Sequence, residues 1–307
     1  MGAFINPFTD WGFKHIFGKK DVLIEFLNDL LQGERVITDI RYMNNEREAE
    51  QMDQRKVIYD IFCETDTGEH IIVEMQNCWQ EHFKDRALYY MAKSIVQQAE
   101  PGRKWNFKLT AVYGIFFINF LLDKDDAQYF CKDVALMEKR TGEVFNNKFR
   151  QIYIELPRFT KEESDCENFF ECWIYNLVNM NKLEKISFKD QKAIFDRLEK
   201  IASQANLTKE ERAQYEYEWK IYNDYFNVME SAEKKARMDQ EEARAKGLAE
   251  GRAKGLAEGR EEGRAEGRAE GEYLKSLEIA RNMKTMAIPT DVIAVSTGLA
   301  VEEIDKL

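Results

Sequence analysis

The segment DIFCETDTGEHIIVEMQ at residues 60–76 mixes apolar residues with carboxylates in a strand-like alternation. Its central DTG sequence is typical of a three-residue β-hairpin loop, in which Gly68 takes the left-handed conformation that glycine adopts readily. In that register Thr65 faces Glu69 across the loop. The segment therefore predicts two antiparallel strands with a fixed register.

This register decides which side chains meet. Asp60 lies opposite Glu74, and Ile58 lies opposite Gln76. Because alternate residues of a strand share a face, Asp60, Glu74 and Gln76 converge on one side, with the Cβ atoms of facing residues about 5 Å apart. A two-residue loop would shift the register and place the two carboxylates on opposite faces. The other face carries a set of core residues, Ile61, Cys63, Ile71, Val73 and Met75.

The convergence of Asp60 and Glu74 has two interpretations. Either both carboxylates are solvated on an open hairpin face, which is the commoner arrangement, or a divalent cation offsets their repulsion. Mg²⁺ uses one or two protein carboxylates and keeps several waters, which leaves room for a phosphate oxygen and a nucleophilic water. The second interpretation predicts a metal site suited to phosphodiester hydrolysis.

The composition fits a globular protein of about two domains. The chain has 307 residues, of which 44% are hydrophobic, and its net charge is −11. No global basic field attracts nucleic acid, although a local groove on an acidic protein can be basic. The five cysteines form no CxxC pair, and their odd number is typical of a reduced protein. The three histidines are too few and too scattered for a histidine-based zinc site.

Membrane insertion and export are not expected. The longest apolar run, at 109–122, is too short to span a bilayer. The opening sequence MGAFINPFTD lacks the basic and apolar regions of a signal peptide. We therefore expect a cytoplasmic protein with no membrane partner.

The order of apolar patterns predicts an α/β or α+β fold. A short helix and an amphipathic helix occupy 6–32, with Asp21 as the expected N-cap of the second. The helix at 82–98 is expected to bury a face that includes Leu88 and Met91. The other predicted elements are strands within 36–76, a buried strand at 109–120, a hairpin at 129–156 with a turn at 141–143, and helices at 165–181, 189–203 and 208–229.

Glycine recurs at every fourth position from 247 to 271, among residues that otherwise favour helix. An interior Gly costs about 1 kcal/mol relative to Ala, so seven cost roughly 7 kcal/mol in one helix. The segment is therefore either a flexible charged linker or a helix whose exposed backbone pairs closely with a partner, most simply a second copy of the chain. Residues 230–272 hold ten Lys and Arg against twelve Asp and Glu, so this arm is not expected to bind DNA.

Residues 288–307 resemble a helix-turn-helix. Ala294, Gly298 and Ile304 stand at the spacing of its small, turn and packing residues. The second helix carries three acidic residues where side chains that read bases are Arg, Asn or Gln. We expect a helical hairpin for protein association rather than a sequence-reading domain.

Several segments resemble the PD-(D/E)XK nuclease superfamily, and specifically its recombination-promoting nuclease and transposase family. DWGFKHIF at 10–17 is similar to that family's D-x-x-F-K-x-x-F opening, and YDIFCETDTGEHIIVEMQ carries its Asp and E-x-Q. RALYYMAKS at 86–94, the glycine repeat and the closing GLAVEEIDKL are also similar. The resemblance implies a restriction-endonuclease-like core of mixed sheet flanked by helices. It also implies DNA cleavage that depends on Mg²⁺, with Mn²⁺ as a substitute.

The resemblance assigns three catalytic positions. Asp60 and Glu74 match the metal-binding acidic pair of the family. Gln76 stands where the superfamily motif usually has Lys, a departure that this family commonly shows. Gln offers only neutral hydrogen bonds, whereas Lys stabilises charge on the attacking water or phosphate. The departure puts the rate in question more than the type of reaction.

The flanking helices contribute further candidates. Asp10 matches the opening acidic residue of the family and either completes the metal site or caps the first helix. Lys14 and Arg86 are expected to contact DNA phosphates, with a salt bridge to a neighbouring acid as the alternative. Tyr89 and Tyr90 are expected to pack in the interior or against the sheet rather than to stack on bases.

We predict a Mg²⁺-dependent DNA endonuclease that forms a homodimer through 241–307. A regulatory protein is a further candidate partner. The alternative is a catalytically degenerate nuclease fold that binds DNA or protein. Cut-and-paste transposition is a third interpretation, but no dedicated domain for end recognition or strand transfer is visible. The predicted domains are the nuclease core at 1–160, a helical extension at 161–240, the glycine-repeat arm at 241–272 and the C-terminal hairpin at 273–307.

Overall fold

Two helices open the chain, and strands then alternate with helices. The computed structural model describes residues 2–44, 46–47, 57–100, 105–123 and 129–307. The helices are α1 (Asp10–Phe17), α2 (Lys20–Leu30), α3 (Phe83–Val96), α4 (Phe169–Asn179), α5 (Ala193–Ala202), α6 (Lys209–Thr285), α7 (Thr290–Thr297) and α8 (Val301–Asp305). The strands are β1 (Ile40–Tyr42), β2 (Glu46–Arg47), β3 (Val57–Ile58), β4 (Ile61–Thr65), β5 (His70–Gln76), β6 (Val112–Ile118), β7 (Cys131–Met137) and β8 (Val144–Glu155). The chain divides into two units, residues 1–225 and residues 226–307.

The first helix begins at a side-chain cap. The Thr9 hydroxyl accepts a hydrogen bond from the backbone N–H of Gly12 (2.9 Å), which satisfies one of the unpaired donors at a helix start. Asp10 is the first helical residue, so the alternative in which Asp10 caps α1 is wrong. The predicted Asp21 cap is also wrong, because Lys19 holds the N-cap position of α2 and Asp21 lies in its first turn. Acidic residues are favoured in the first turn as well as at the cap, so the sequence pattern does not separate the two positions.

The hairpin loop between β4 and β5 has the predicted form. The backbone N–H of Thr65 donates to the carbonyl of Glu69 (2.9 Å), and Gly68 has a φ of 84°. The two strands pair antiparallel with Ile61 opposite Val73. The predicted register is therefore confirmed.

The first strand of this hairpin is shorter than predicted. β3 pairs with β2 in a separate two-stranded sheet, in which Ile58 faces Glu46. The chain bends between β3 and β4, where the backbone N–H of Asp60 donates to the Glu74 side chain instead of to a strand backbone. The predicted pairing of Ile58 with Gln76 is therefore wrong.

The main sheet has six strands in the order β1-β4-β5-β6-β8-β7. β5, β6 and β8 are parallel, and the other neighbouring strands are antiparallel. Gln76, Ile118 and Glu155 align across the parallel strands, so these strands end at the same edge of the sheet. The predicted hairpin at 129–156 is β7 and β8, with Gly142 at a φ of 72° in its turn. A mixed sheet flanked by helices confirms the predicted fold class.

Helices cover both faces of this sheet. Residues of α1, α2, α4 and α5 form one core cluster, which also contains the five core residues predicted in the hairpin. α3 covers the other face, where Phe83, Ala87 and Met91 are buried. The predicted burial of Leu88 is wrong, because α3 turns that side toward solvent and leaves Leu88 50% exposed. Gly114 of β6 permits the close approach of α3, since a Cβ there would lie 2.5 Å from the sulfur of Met91.

The chain is helical after the sheet, as predicted. α4 and α5 join the first core cluster through Trp173 and Phe195, whose ring centroids are 5.0 Å apart. α6 runs for 77 residues through all seven glycines of the repeat, so the flexible-linker alternative is wrong. The domain boundaries placed at 160, 240 and 272 stay predictions.

The second unit has a small core of its own. The end of α6 packs with α7 and α8 through Ala280, Ile293, Leu299 and Ile304, all of which are buried. Gly298 ends α7 with a φ of 73°, so it takes the turn position that the sequence assigns to it. Among the residues that the structure describes, no helix is both long and apolar enough to cross a membrane.

Gly68→Ala is expected to destabilise the protein by about 1–2 kcal/mol, because a residue with a Cβ is strained in the left-handed region. Gly68→Asn should cost less, since Asn adopts that conformation more readily. Urea unfolding of both variants and wild type, followed by far-UV circular dichroism, measures the difference. Equal stability of Gly68→Ala and wild type would contradict the observed loop geometry.

Candidate active site at the sheet edge

Asp60 and Glu74 meet at the edge where the parallel strands end. The backbone N–H of Asp60 donates to Oε1 of Glu74 (3.2 Å), and Oδ2 of Asp60 accepts from the backbone N–H of Met75 (2.8 Å). The reciprocal bonds hold the two carboxylates beside each other. The hairpin register brings them together, since Asp60 precedes Ile61, Glu74 follows Val73, and Ile61 and Val73 are the last residues that pair.

This pair is not on an open face. Glu74 is 2% exposed, and α3 covers this side of the sheet, so a fully solvated hairpin face is wrong for Glu74. Burial raises the pKa of Glu74, and the neighbouring Asp60 carboxylate raises it further. Burial also raises the pKa of Asp60, against the opposing effects of the Met75 N–H and the Lys14 ammonium. Glu74 is buried and Asp60 is 20% exposed, and two adjacent acids that resist ionisation are the electrostatic condition that a divalent cation relieves.

Gln76 connects the acidic pair to α3. Its Nε2 donates to Oε2 of Glu74 (3.3 Å), and its Oε1 accepts from Nη1 of Arg86 (3.3 Å). Gln76 therefore supplies a neutral donor to the carboxylate and orients a cation at the same time. It adds no charge to the site.

Arg86 of α3 is held in place from several sides. Its Nη1 donates to Oε1 of Gln80 (2.9 Å), and its guanidinium lies 5.0 Å from the ring centroid of Tyr90. Its Nη2 is 4.0 Å from Oε2 of Glu74. Sequence reasoning missed Gln80 and Tyr90 as supports of Arg86. The contact between Arg86 and Tyr90 could have been predicted from the sequence, because residues four apart on a helix are neighbours.

Lys14 and Asp10 reach the site from α1. The Lys14 ammonium is 2.7 Å from Asp10 and 3.9 Å from Oδ1 of Asp60. Burial lowers the pKa of Lys14, but the bond to Asp10 and the nearby carboxylates give a net rise, so the side chain is charged at neutral pH. The Asp10 carboxylate is 56% exposed and paired with Lys14. The salt-bridge alternative for Lys14 is thus seen in this structure, and contact with DNA phosphate stays a prediction.

A groove of about 950 Å³ opens at Asp60. Its walls include Asp10, Lys14, Ile58, Asp60, Gln80, Glu81, His82, Asp85, Arg86, Tyr89 and Tyr90. Tyr90 packs edge to face against the ring of Tyr59, as expected for a packing residue. Tyr89 is 45% exposed on the groove, so the expectation that it packs in the interior is wrong. Helical periodicity did not distinguish the two neighbours.

The donor set fits a small hard cation that keeps its own waters. No three acidic, histidine or cysteine side chains within the described ranges form a group that could hold a metal. Asp60 and Glu74 nevertheless offer two adjacent carboxylates, which is the number that Mg²⁺ typically takes from a protein. Their burial and mutual repulsion are offset when a divalent cation lies between them. These two residues are therefore the ones that could hold a metal.

Glu74→Gln is expected to stabilise the metal-free protein increasingly as the pH rises. The pKa of Glu74 is raised by folding, so the stability from this group is complete below its ordinary value of 4.5 and is lost as the pH rises through the folded value. Gln keeps an acceptor for the Asp60 N–H without that loss. Melting temperatures in EDTA at pH 5 and pH 8 measure the effect.

The control for this comparison is Glu81→Gln, an exposed acid on the same groove. Its difference from wild type should not change with pH. A difference between Glu74→Gln and wild type that is the same at both pH values would contradict the raised pKa.

The site can be compared with known protein families. A family model described as PD-(D/E)XK nuclease family transposase matches residues 7–232. No curated protein and no solved structure matches the chain. The matched range covers most of the 307 residues and contains the whole candidate site. The chain belongs to the PD-(D/E)XK nuclease family transposases.

Proposed function

We propose that this protein is a DNA endonuclease that hydrolyses phosphodiester bonds with Mg²⁺, or with Mn²⁺ in its place. The observation that carries the proposal is the adjacent pair of Asp60, which lines the groove, and the buried Glu74, with Lys14 near the first carboxylate and Arg86 near the second. The family match supports the same chemistry, since nucleases of this superfamily are typically dependent on divalent metals. DNA is the proposed substrate.

The residues of the site have different roles in the proposed reaction. Asp60 and Glu74 hold the metal, and Asp10 at the groove wall is the third candidate ligand. When bound, the metal supplies a Lewis acid and an activated water. Arg86 is preoriented by Gln76 and Gln80, and it grips a phosphate oxygen of the bound strand.

Asp60→Ala and Glu74→Ala are each expected to reduce plasmid cleavage by more than about 100-fold, because loss of a ligand exceeds the 10–100-fold typical for residues that only support ligands. EDTA should abolish cleavage by wild type. The measurement is nicking and linearisation of supercoiled plasmid with Mg²⁺ or Mn²⁺, with circular dichroism to verify folding.

Asp85→Asn is the matched control, because it removes an exposed carboxylate from the groove wall without touching the pair. Full activity in a folded Asp60→Ala or Glu74→Ala protein would contradict the site assignment. A folded wild type that cleaves with neither metal would favour the degenerate, DNA- or protein-binding alternative.

A homodimer through 241–307 is the second part of the proposal. The glycines of the repeat lie in α6, and apart from neighbouring residues and the helix's own backbone no described atom lies within 4 Å of the position that a Cβ would take. The bare backbone along this helix supports close approach by a second helix, which would offset the cost of seven interior glycines.

Full-length protein is therefore expected at twice its 36.2 kDa chain mass in light scattering coupled to size exclusion. Gly255→Leu with Gly259→Leu should shift it to monomer, because two large side chains block the approach. Ala253→Leu with Ala257→Leu adds the same bulk to a different side of the helix and should leave the dimer intact. A monomeric wild type would contradict the proposed dimer.

Two further proposals concern the cellular location of the protein and a regulatory partner. All five cysteines are free, which supports a reducing, cytoplasmic location. Glu302 and Asp305 are exposed on α8, which supports a regulatory protein partner rather than DNA at the C-terminal hairpin.

A further inference from the structure

The candidate site lacks a charged group at the position of Gln76. The Gln76 amide is bonded to Glu74 and to Arg86, and an amide offers only neutral hydrogen bonds. Hydrolysis of a phosphodiester builds negative charge on the attacking and leaving oxygens. A side-chain cation that acts beside the proposed metal would therefore come from another part of the fold.

Two described cations approach the acidic pair, and they differ in how they are held. The Arg86 guanidinium lies on the Glu74 side, where Gln76, Gln80 and Tyr90 fix its plane. The Lys14 ammonium lies on the Asp60 side, 3.9 Å from Oδ1. The first is a planar group whose Nη1 already donates to Gln76 and Gln80, and the second is a compact point charge beside a carboxylate.

The position of Lys14 is fixed by the core. Phe13 and Phe17 of α1 are almost fully buried, and their rings pack on Phe117 of β6 with centroids 5.4 and 5.5 Å away. Lys14 follows Phe13 directly in α1 and lines the groove. Its side chain is 40% exposed and restrained by Asp10. The ammonium is therefore delivered by a rigid element rather than by a loop.

We propose that Lys14 is a catalytic residue that supplies the positive charge absent from position 76. Its ammonium contacts the attacking water and the scissile phosphate and stabilises the charge that develops there. The water oxygen forms a bond to phosphorus, the bond from phosphorus to the leaving sugar oxygen breaks, one water proton passes to solvent, and the leaving oxygen takes a proton from solvent. Lys14 stays charged throughout. This inference rests on the proposed endonuclease function.

A catalytic charge and a simple phosphate grip give different results on substitution. Lys14→Met removes the charge and keeps the length of the side chain. A grip contributes to binding of DNA before reaction, whereas a catalytic charge acts on the transition state. Single-turnover cleavage at saturating protein measures the catalytic step, and DNA binding with Ca²⁺ in place of Mg²⁺ measures the grip.

Lys14→Met is expected to slow single-turnover cleavage by about 10²–10³-fold, the usual effect of removing one group that stabilises developing charge. The Kd for DNA in Ca²⁺ should rise by no more than about threefold. Mg²⁺ affinity by calorimetry should be unchanged or tighter, because a cation that competes for Asp60 has been removed. Lys14→Gln, checked by circular dichroism, is the second neutral variant.

The deciding variant is Lys14→Met with Gln76→Lys, which returns a positive charge from the neighbouring strand. Its single-turnover cleavage rate should be at least about tenfold higher than that of Lys14→Met. Lys84→Met removes a lysine of α3 that pairs with Asp123, and it should cleave at the wild-type rate.

The proposal is overturned if Lys14→Met cleaves at the wild-type rate, if its DNA affinity falls as much as its rate, or if the double variant is as slow as Lys14→Met alone. An equal loss in Lys84→Met also overturns it, because the effect would then follow from total charge. Each of these results leaves cleavage by wild type, and so the endonuclease function, intact. A wild type that does not cleave overturns both proposals.

Discussion

The repulsion between two adjacent carboxylates, one of them buried, is the constraint around which this fold is arranged. Asp60 and Glu74 are held together because each carboxylate accepts a backbone N–H bond, from Met75 and from Asp60 respectively, and Glu74 is buried on the side of the sheet that α3 covers. A fold does not gain stability from such a pair in the absence of a cation. Under the proposed function, the pair would concentrate negative charge for a metal, at some expense of stability in the metal-free protein.

Both core clusters contribute to the position of the charged groups around that pair. On one face of the sheet, the aromatic packing of Phe13 and Phe17 fixes α1 and, with it, Lys14. On the other face, the contact between Met91 and Gly114 allows α3 to lie close to β6, and α3 carries Arg86. The packing of the interior thus sets the distances among charges at the edge, since helices anchored by several buried side chains have little freedom to shift.

The long helix α6 differs from the core in what stabilises it. Its repeat combines good helix formers with a glycine at every fourth position, so local propensity favours helix while the glycines lower its stability. Apart from neighbouring residues and the helix's own backbone, no described atom lies within 4 Å of the position that a Cβ would take at these glycines. A helix of this kind gains most from another helix that uses the exposed backbone, which is the basis of the proposed dimer.

Local patterns in the sequence determined the hairpin register, the mixed α/β class and the convergence of Asp60 with Glu74, because loop chemistry and strand alternation act over a few residues. The sequence did not determine that Glu74 is buried, that the strand stops before Asp60, or which side of α3 faces the sheet. It also left open whether Lys14 reaches the acidic pair. Only the tertiary structure decided these points, because each depends on the distance between segments far apart in the chain, and periodicity within one segment carries no information about that distance.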